Sequence, residues 1–318
     1  MPGLDTEFVT SKEAEMARTV TAGLDGSPES LTAAEWAARE ALLRDLPLHL
    51  VHALGLHPYT PMGGVPEPSL SPGEQSRRAE RMLREAEATI ARHHPDLRIT
   101  IDRLPEEPVP ALLGAAGEAD LLVLGSRGLG GVAGFLVGSV AQAVVAASQR
   151  PVVLVRGGLH PEDEHQPGAF GSGAAPFRDV VLGLNSAAPN DTVIGFAFEA
   201  VSQRVARVRV VHGRGPELPY YDNGGDLDAE LHDELTGEMH RALSEALGPW
   251  RHKFPGVEVA EQAVIGKAGS HLVEASRDAS LVVVGRRRRR TAIGAAIGPV
   301  THAVLHHATA PVAVVPHD

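Results

Sequence analysis

The sequence predicts an α/β protein made of two tandem doubly wound domains, each with a five-stranded parallel sheet. Three observations predict this class. Short β-rich apolar runs alternate with stretches of helical periodicity, a pattern that calls for parallel pairing and right-handed crossovers. A glycine-rich loop joins one such run to a helix within residues 120–155. The chain also repeats itself at a constant offset: Asp25 matches Asn185, His52 matches His212, Asp120 matches Ser280, Gly125 matches Gly285, Gly138 matches Gly298 and Pro151 matches Pro311, each pair 160 positions apart. An offset that holds from first strand to last marks a tandem duplication.

Residues 1–17 lack both a basic start and an apolar core, so they are expected to be a disordered leader rather than a signal peptide. The first domain, residues 18–156, opens with a strand at 18–24 that ends in the turn Asp25-Gly26-Ser27-Pro28, where Ser27 can cap a helix beginning at Pro28. That helix carries Leu31, Ala34, Ala38, Ala41 and Leu42 at helical spacing, which predicts them as its core face. A strand at 47–54 follows, then a Pro- and Gly-rich loop at 55–72 that could serve as a lid, and a long amphipathic helix at 73–94 with many Arg/Glu pairs. A strand at 97–104, a helix at 109–118, a strand at 121–124, a helix starting at Ser139 and a strand at 151–155 complete the domain.

Residues 157–177 have the Gly, Pro and Ser content of a linker, with acidic residues expected to keep it solvated. The second domain, residues 178–318, repeats the plan. Strands are expected at 178–184, 206–212, 257–264, 281–285 and 311–315, and helices at 191–204 and 226–254.

With 318 residues, 43% of them apolar, each domain can bury a core. Cysteine is absent, which excludes disulfides and thiolate metal sites. A formal charge of −11 and a pI near 5.8 argue against general nucleic-acid affinity, because such binding needs a basic face. No run of about 18 apolar residues could cross a membrane, so a cytoplasmic protein with neither nucleic-acid nor membrane partners is expected.

The glycine loop carries Gly125, Gly128, Gly130, Gly131, Gly134 and Gly138 before the helix at Ser139. Glycines let consecutive N–H groups curl around an anion, and the free N–H groups of a helix start add positive partial charge. A Walker loop would need Gly-Lys-Ser/Thr, and no lysine lies in 120–155; a dinucleotide fingerprint needs different glycine spacing near the chain start. A tight turn with no ligand is the plain alternative. What stands here is Gly125, two residues, Gly128, nine residues, Gly138-Ser139, and this resembles the nucleotide signature of the universal stress protein family. Outside leader and linker the resemblance covers nearly the whole chain.

The resemblance implies the flavodoxin-like, Rossmann-like strand order 3-2-1-4-5 in each domain. The ends of the first and fourth strands would then converge at the switch point where such sheets bind ligands. It further implies ATP, together with magnesium, as the ligand, with contacts from Gly125, Arg127, Gly128, Gly138, Ser139 and Val140. Asp25 would lie on the adenosine side, although a helix-capping role is open to it. Gly23 would let the ribose approach the main chain, and Ala53 would sit against the adenine ring. His52 is expected to pack between sheet and helix. Association through the last strands is implied, both within the chain and in a homodimer.

The second copy departs from the signature at three places: Asn185 replaces the aspartate, Arg288 the second glycine and Pro299 the serine. Proline fits the first turn of a helix but brings neither N–H nor hydroxyl. The run Arg286 to Arg290 could supply charge or could be a solvated basic loop. Turnover needs a group to orient the attacking water, and Ser139, Gln142 and Arg127 offer no persuasive base. His302 and His306 share a helical face without an obvious third metal ligand, so a packed or surface face is expected. The expected function is a nucleotide-dependent sensor or regulator of a stress response, with no catalytic residues and no metal ligands. A slow ATPase or adenylate-transferring enzyme on the same loop is the alternative, and a flavin-binding electron carrier a third, disfavoured by 4% aromatic content.

Overall fold

The computed structural model describes residues 18–55, 71–126, 137–167, 175–214, 229–288 and 297–318. The expected leader, nearly all of the expected lid loop and most of the glycine loop lie outside the described residues. In chain order the first copy contains β1 (Val20–Gly23), α1 (Pro28–Arg44), β2 (Leu48–Ala53), α2 (Pro72–His93), β3 (Ile99–Leu104), α3 (Pro108–Glu118), β4 (Leu121–Ser126), α4 (Ser139–Ala147) and β5 (Val152–Arg156). The second contains β6 (Asp179–Gly183), α5 (Asp191–Arg204), β7 (Arg207–Arg214), α6 (Ala229–Lys253), β8 (Glu258–Ile265), α7 (Ala268–Ala275), β9 (Ala279–Arg287), α8 (Pro299–His307) and β10 (Val312–His317).

The ten strands form one sheet in the order β3-β2-β1-β4-β5-β10-β9-β6-β7-β8. Each copy therefore has the order 3-2-1-4-5 with parallel neighbours, and the two meet where β5 and β10 pair antiparallel. Val153 stands opposite Ala313, its own counterpart in the repeat, flanked by Val152 opposite Val314 and Leu154 opposite Val312. A pseudo-twofold axis thus passes through the centre of the seam. β9 outruns the expected strand because Arg286 and Arg287 pair with Pro316 and His317 of β10.

Helices begin where side chains satisfy their first N–H groups. Ser27 accepts from Ser30 N at the start of α1, Ser71 and Glu74 form a capping box on α2, and Asn190 caps α5. The core face of α1 includes Ala34, Ala38 and Ala41 as expected but not the two leucines. Leu31 and Leu42 are 41% and 44% exposed, and the helix instead buries Ala33, Ala34, Trp36, Ala37, Ala38 and Ala41. Small side chains let the helix axis approach the sheet closely, which pushes the two leucines to the rim. One apolar layer, including Trp36, Leu83, Phe198 and Leu243, covers one sheet face across both copies. A second, including Leu112, Val144, Leu272 and Val304, covers the other.

The segment expected to be a solvated linker is docked. It contains a 3-10 turn at Pro161–Glu164, and Glu164 is buried, accepting from Trp36 Nε1 at 2.6 Å and from Arg39 Nη2 at 2.7 Å. Two hydrogen-bonded donors satisfy the carboxylate, so an acidic residue serves as an anchor here instead of a solubilising group.

Near the pseudo-twofold axis the buried carboxylate of Glu40 lies between Arg44 on its own helix, 2.7 Å away, and Arg204 on α5. Arg44 also reaches Asp120 at 3.2 Å and stacks over Phe196, and Arg204 stacks over Phe177. Burial alone would raise the Glu40 pKa, but the two guanidiniums outweigh it and hold the carboxyl below its ordinary value. A carboxylate lowered in the folded state contributes stability that is complete above the ordinary carboxylate pKa and is lost as pH falls through the lowered one. Glu40→Ala should therefore cost roughly 3 to 5 kcal/mol, since it leaves two arginines without their shared anion. In urea titrations the loss should be full at pH 7 and shrink in acid. A loss that stays the same across that range would assign the cost to packing alone.

A second prediction concerns Val205, the C-terminal cap of α5. It adopts φ 49°, as its repeat counterpart Asp45 adopts φ 54°, and it is 89% exposed. A β-branched residue in the left-handed region is strained where glycine is not. Val205→Gly should raise the stability by about 1 kcal/mol, seen as a higher melting temperature.

Candidate functional site

The carboxyl ends of β1, β2 and β4 lie side by side. Gly23 pairs with both Val51 and Leu124, Ala53 ends β2 opposite Leu104, and Gly125 pairs with Val155. The switch point therefore gathers Gly23, Asp25, Ala53 and Gly125 at one sheet edge. Asp25 is exposed and belongs to the turn before α1: its Oδ1 accepts from Ser27 N at 2.9 Å and from the Ser27 hydroxyl. That turn orients the carboxylate beside the positive end of α1, while the cap itself is Ser27, so the capping role and the expected site position fall on two neighbouring residues.

The two strand-end glycines are required by packing. A Cβ on Gly23 would lie 2.6 Å from Leu124 Cδ2 and 2.9 Å from Leu112 Cδ2, and the repeat counterpart Gly183 meets Leu272 at 2.8 Å in the same way. The neighbours of Gly23 are thus leucines of α3 and β4, on the face away from α1. A Cβ on Gly125 would lie 2.7 Å from the Glu29 carbonyl group, so glycine lets the first turn of α1 close against the end of β4. The sequence carries no signal for this helix-on-strand contact.

α4 starts at Ser139 with Gly138 as its cap. The cap supplies no side-chain acceptor and the first turn holds no acidic residue. Ser139 is exposed, a Cβ on Gly138 would meet nothing within 4 Å, and Val140 packs on the second apolar layer. An uncapped helix start with a hydroxyl beside it has the donor chemistry that a phosphate requires. Arg127 and Gly128 lie outside the described residues. His52 is half-buried, with Nδ1 2.7 Å from Leu24 O, as expected of a residue that packs between elements.

In the second copy the matching edge opens into a cleft of about 1360 Å³ lined in part by Asn185, Ser186, His212, Met239, Gly298 and Thr301. Asn185 accepts from Ala187 N at 3.2 Å, and Pro299 occupies the first turn of α8. The arginine run is not simply a solvated loop. Arg286 is buried and donates to Ser148 O at the C-terminus of α4, and Arg288 donates to Gln149 O at 3.3 Å and faces Asp318 at 3.7 Å. Reciprocally, Arg156 donates to Ala308 O at the C-terminus of α8. Burial pulls the Arg156 pKa down to about 10, and burial, with a contribution from Arg288, lowers that of Arg286. Cations at helix C-termini complement the negative end of the macrodipole.

His212, the counterpart of His52, is buried with Nδ1 2.9 Å from Leu184 O, and its Nε2 lies 3.2 Å from Ser186 Oγ. This contact has no equivalent in the first copy, where Gly26 stands in place of Ser186. The rings of His302 and His306 stack with centroids 4.3 Å apart. Among the described residues no group of three or more His, Cys, Asp or Glu side chains is placed to hold a metal ion, and no helix is long and apolar enough to cross a membrane.

A universal stress protein of Mycobacterium tuberculosis is 30% identical over 309 residues, covering 93% of this chain and 96% of its own. A crystal structure of a universal stress protein from Archaeoglobus fulgidus superposes with a TM-score of 0.67 at 17% identity, covering 94% and 98% of the two chains. Another from that organism, in complex with dAMP, matches 44% of this chain at 22% identity with a TM-score of 0.32. The family pattern itself matches twice, at residues 16–156 and 176–316. Two matches on the two halves of one ten-stranded sheet mean that this chain belongs to the universal stress protein family.

Proposed function

We propose that the chain is an ATP-binding stress-response protein in which residues 18–156 hold the nucleotide, with magnesium, and in which binding rather than turnover is the working event. The observation that carries this reading is the meeting of the Asp25 turn, the Gly125 strand end and the neighbouring strand end at Ala53 on one sheet edge, in a domain whose glycine signature ends at the uncapped start of α4. In the bound state the N–H groups of that helix start and the Ser139 hydroxyl would hold phosphate oxygens, Gly128 would give close main-chain approach, and the Asp25 side would face the ribose and base. Ala53 and Gly23 would line the nucleoside end. Among the described residues no group in this set is placed to orient an attacking water, which favours a sensor or regulator over an ATPase. The cytoplasm is the compartment that fits a nucleotide-dependent role. A homodimer of the full chain would use surfaces other than β5 and β10, which already pair with each other.

The second copy lacks the aspartate, the middle glycine and the serine, and Arg286 and Arg288 are engaged at the seam between the halves. One tight nucleotide per chain is therefore expected by calorimetry with ATP and magnesium. Gly128→Glu should abolish it while the fold stays cooperative, because bulk and negative charge enter beside phosphate. Ser139→Ala should weaken it by about 1.5 to 3 kcal/mol, the loss of one hydrogen bond to a charged partner. Two equally tight sites would overturn the inequality of the halves, and an unchanged affinity in Gly128→Glu would remove the loop from the site.

A further inference from the structure

We propose that Ser186 and His212 form a nucleophile–base pair able to take an acyl group from small carboxylic esters. The inference concerns the second copy and does not rest on the nucleotide reading of the first.

The argument begins with the imidazole. Nδ1 of His212 lies 2.9 Å from Leu184 O, which can only accept, and 3.4 Å from the Ser186 backbone N–H, which can only donate; the shorter contact puts the proton on Nδ1 and leaves the lone pair on Nε2. Nε2 lies 3.2 Å from Ser186 Oγ, which makes the serine hydroxyl the donor. Hydroxyl, imidazole and an acceptor that fixes the tautomer are the three parts of an activated serine, here with a backbone carbonyl in the orienting place. The imidazole is buried and the serine half-buried, and both line the cleft of about 1360 Å³.

The cleft suits an ester. Met239, Leu272 and Val284 give it an apolar wall for an acyl chain, and the first turn of α8, through Val300 and Thr301, brings a positive helix end to the same space. The residue before the serine is Asn185 where the first copy has Asp25, so that position adds no negative charge beside an incipient oxyanion. The first copy holds the same clamp, His52 Nδ1 to Leu24 O at 2.7 Å, but places Gly26 at φ 83° in front of it. The pair therefore distinguishes the two halves.

In the reaction Ser186 Oγ attacks the ester carbonyl carbon, its proton passes to His212 Nε2, and the bond to the alcohol oxygen breaks as that oxygen takes the proton. Water then adds to the acyl-serine, giving a proton to His212 Nε2, and the bond from the acyl carbon to Ser186 Oγ breaks as Oγ takes that proton back, which releases the carboxylic acid and restores the serine. No oxidant, reductant or metal enters the balance.

The test uses the full chain with p-nitrophenyl acetate and a fluorophosphonate probe. The expected result is ester hydrolysis and a single probe adduct on the peptide containing Ser186. Ser186→Ala and His212→Gln should each lower the hydrolysis rate about 100-fold or more, with circular dichroism unchanged for Ser186→Ala. Because the chain contains no cysteine, Ser186→Cys adds its only thiol. Iodoacetamide should alkylate that thiol faster with His212 present than in the Ser186→Cys/His212→Gln double variant. A rate retained in Ser186→Ala, an adduct elsewhere, or a thiol indifferent to His212 would each overturn the proposal.

Discussion

The antiparallel pairing of β5 with β10 is the contact on which the rest of the arrangement depends. Each half ends in a strand of valines and their like, Val152 to Val155 and Val312 to Val315, all buried. Left open, either edge would present unpaired N–H and C=O groups on an apolar ribbon, a template for uncontrolled strand addition. Joined, they turn two five-stranded sheets into one and let both apolar layers run across the seam. The reciprocal arginines follow from the same geometry, since crossing the seam brings each strand end to the C-terminus of the other half's glycine-loop helix.

The seam also bears on the candidate site. The two ends of helix α4 differ. Its N-terminus has no side-chain cap among the described residues and faces the switch point, whereas the carbonyls just past its C-terminus, Ser148 O and Gln149 O, receive Arg286 and Arg288 from the second copy. The departures of the second copy from the family signature then have a local logic. Arg286 and Arg288 donate to the neighbouring helix end, and Pro299 starts α8 without the hydroxyl and N–H that Ser139 brings to α4.

Much of the fold was legible because its signals are local. Caps at Ser27 and Ser71, glycines at strand ends, and alternating apolar runs each act within a few residues, and the constant 160-residue offset extended the first reading to the second half. The candidate residues at the switch point were legible for the same reason, through the glycine spacing and the residue after the first strand. What was missed depends on partners far away in sequence. The buried face of α1 is set by how close the sheet comes, which favoured alanines over Leu31 and Leu42. Glu164 reads as a solvated acid until Trp36 and Arg39 are brought to it, and Ser186 reads as a turn residue until β7 places His212 beside it.

The Glu40 cluster has a consequence for how the two copies can differ. Arg44 and Arg204 are counterparts in the repeat, whereas the position equivalent to Glu40 is Ala200. On a true twofold axis every side chain comes twice, so a group near it is either doubled or absent. A lone acid serving two equivalent bases has odd parity, and no pair of identical copies can encode it. Fusion thereby lifts the constraint that each change be compatible with its own mirror image, and one half can keep an ancestral pocket while the other drifts towards different chemistry.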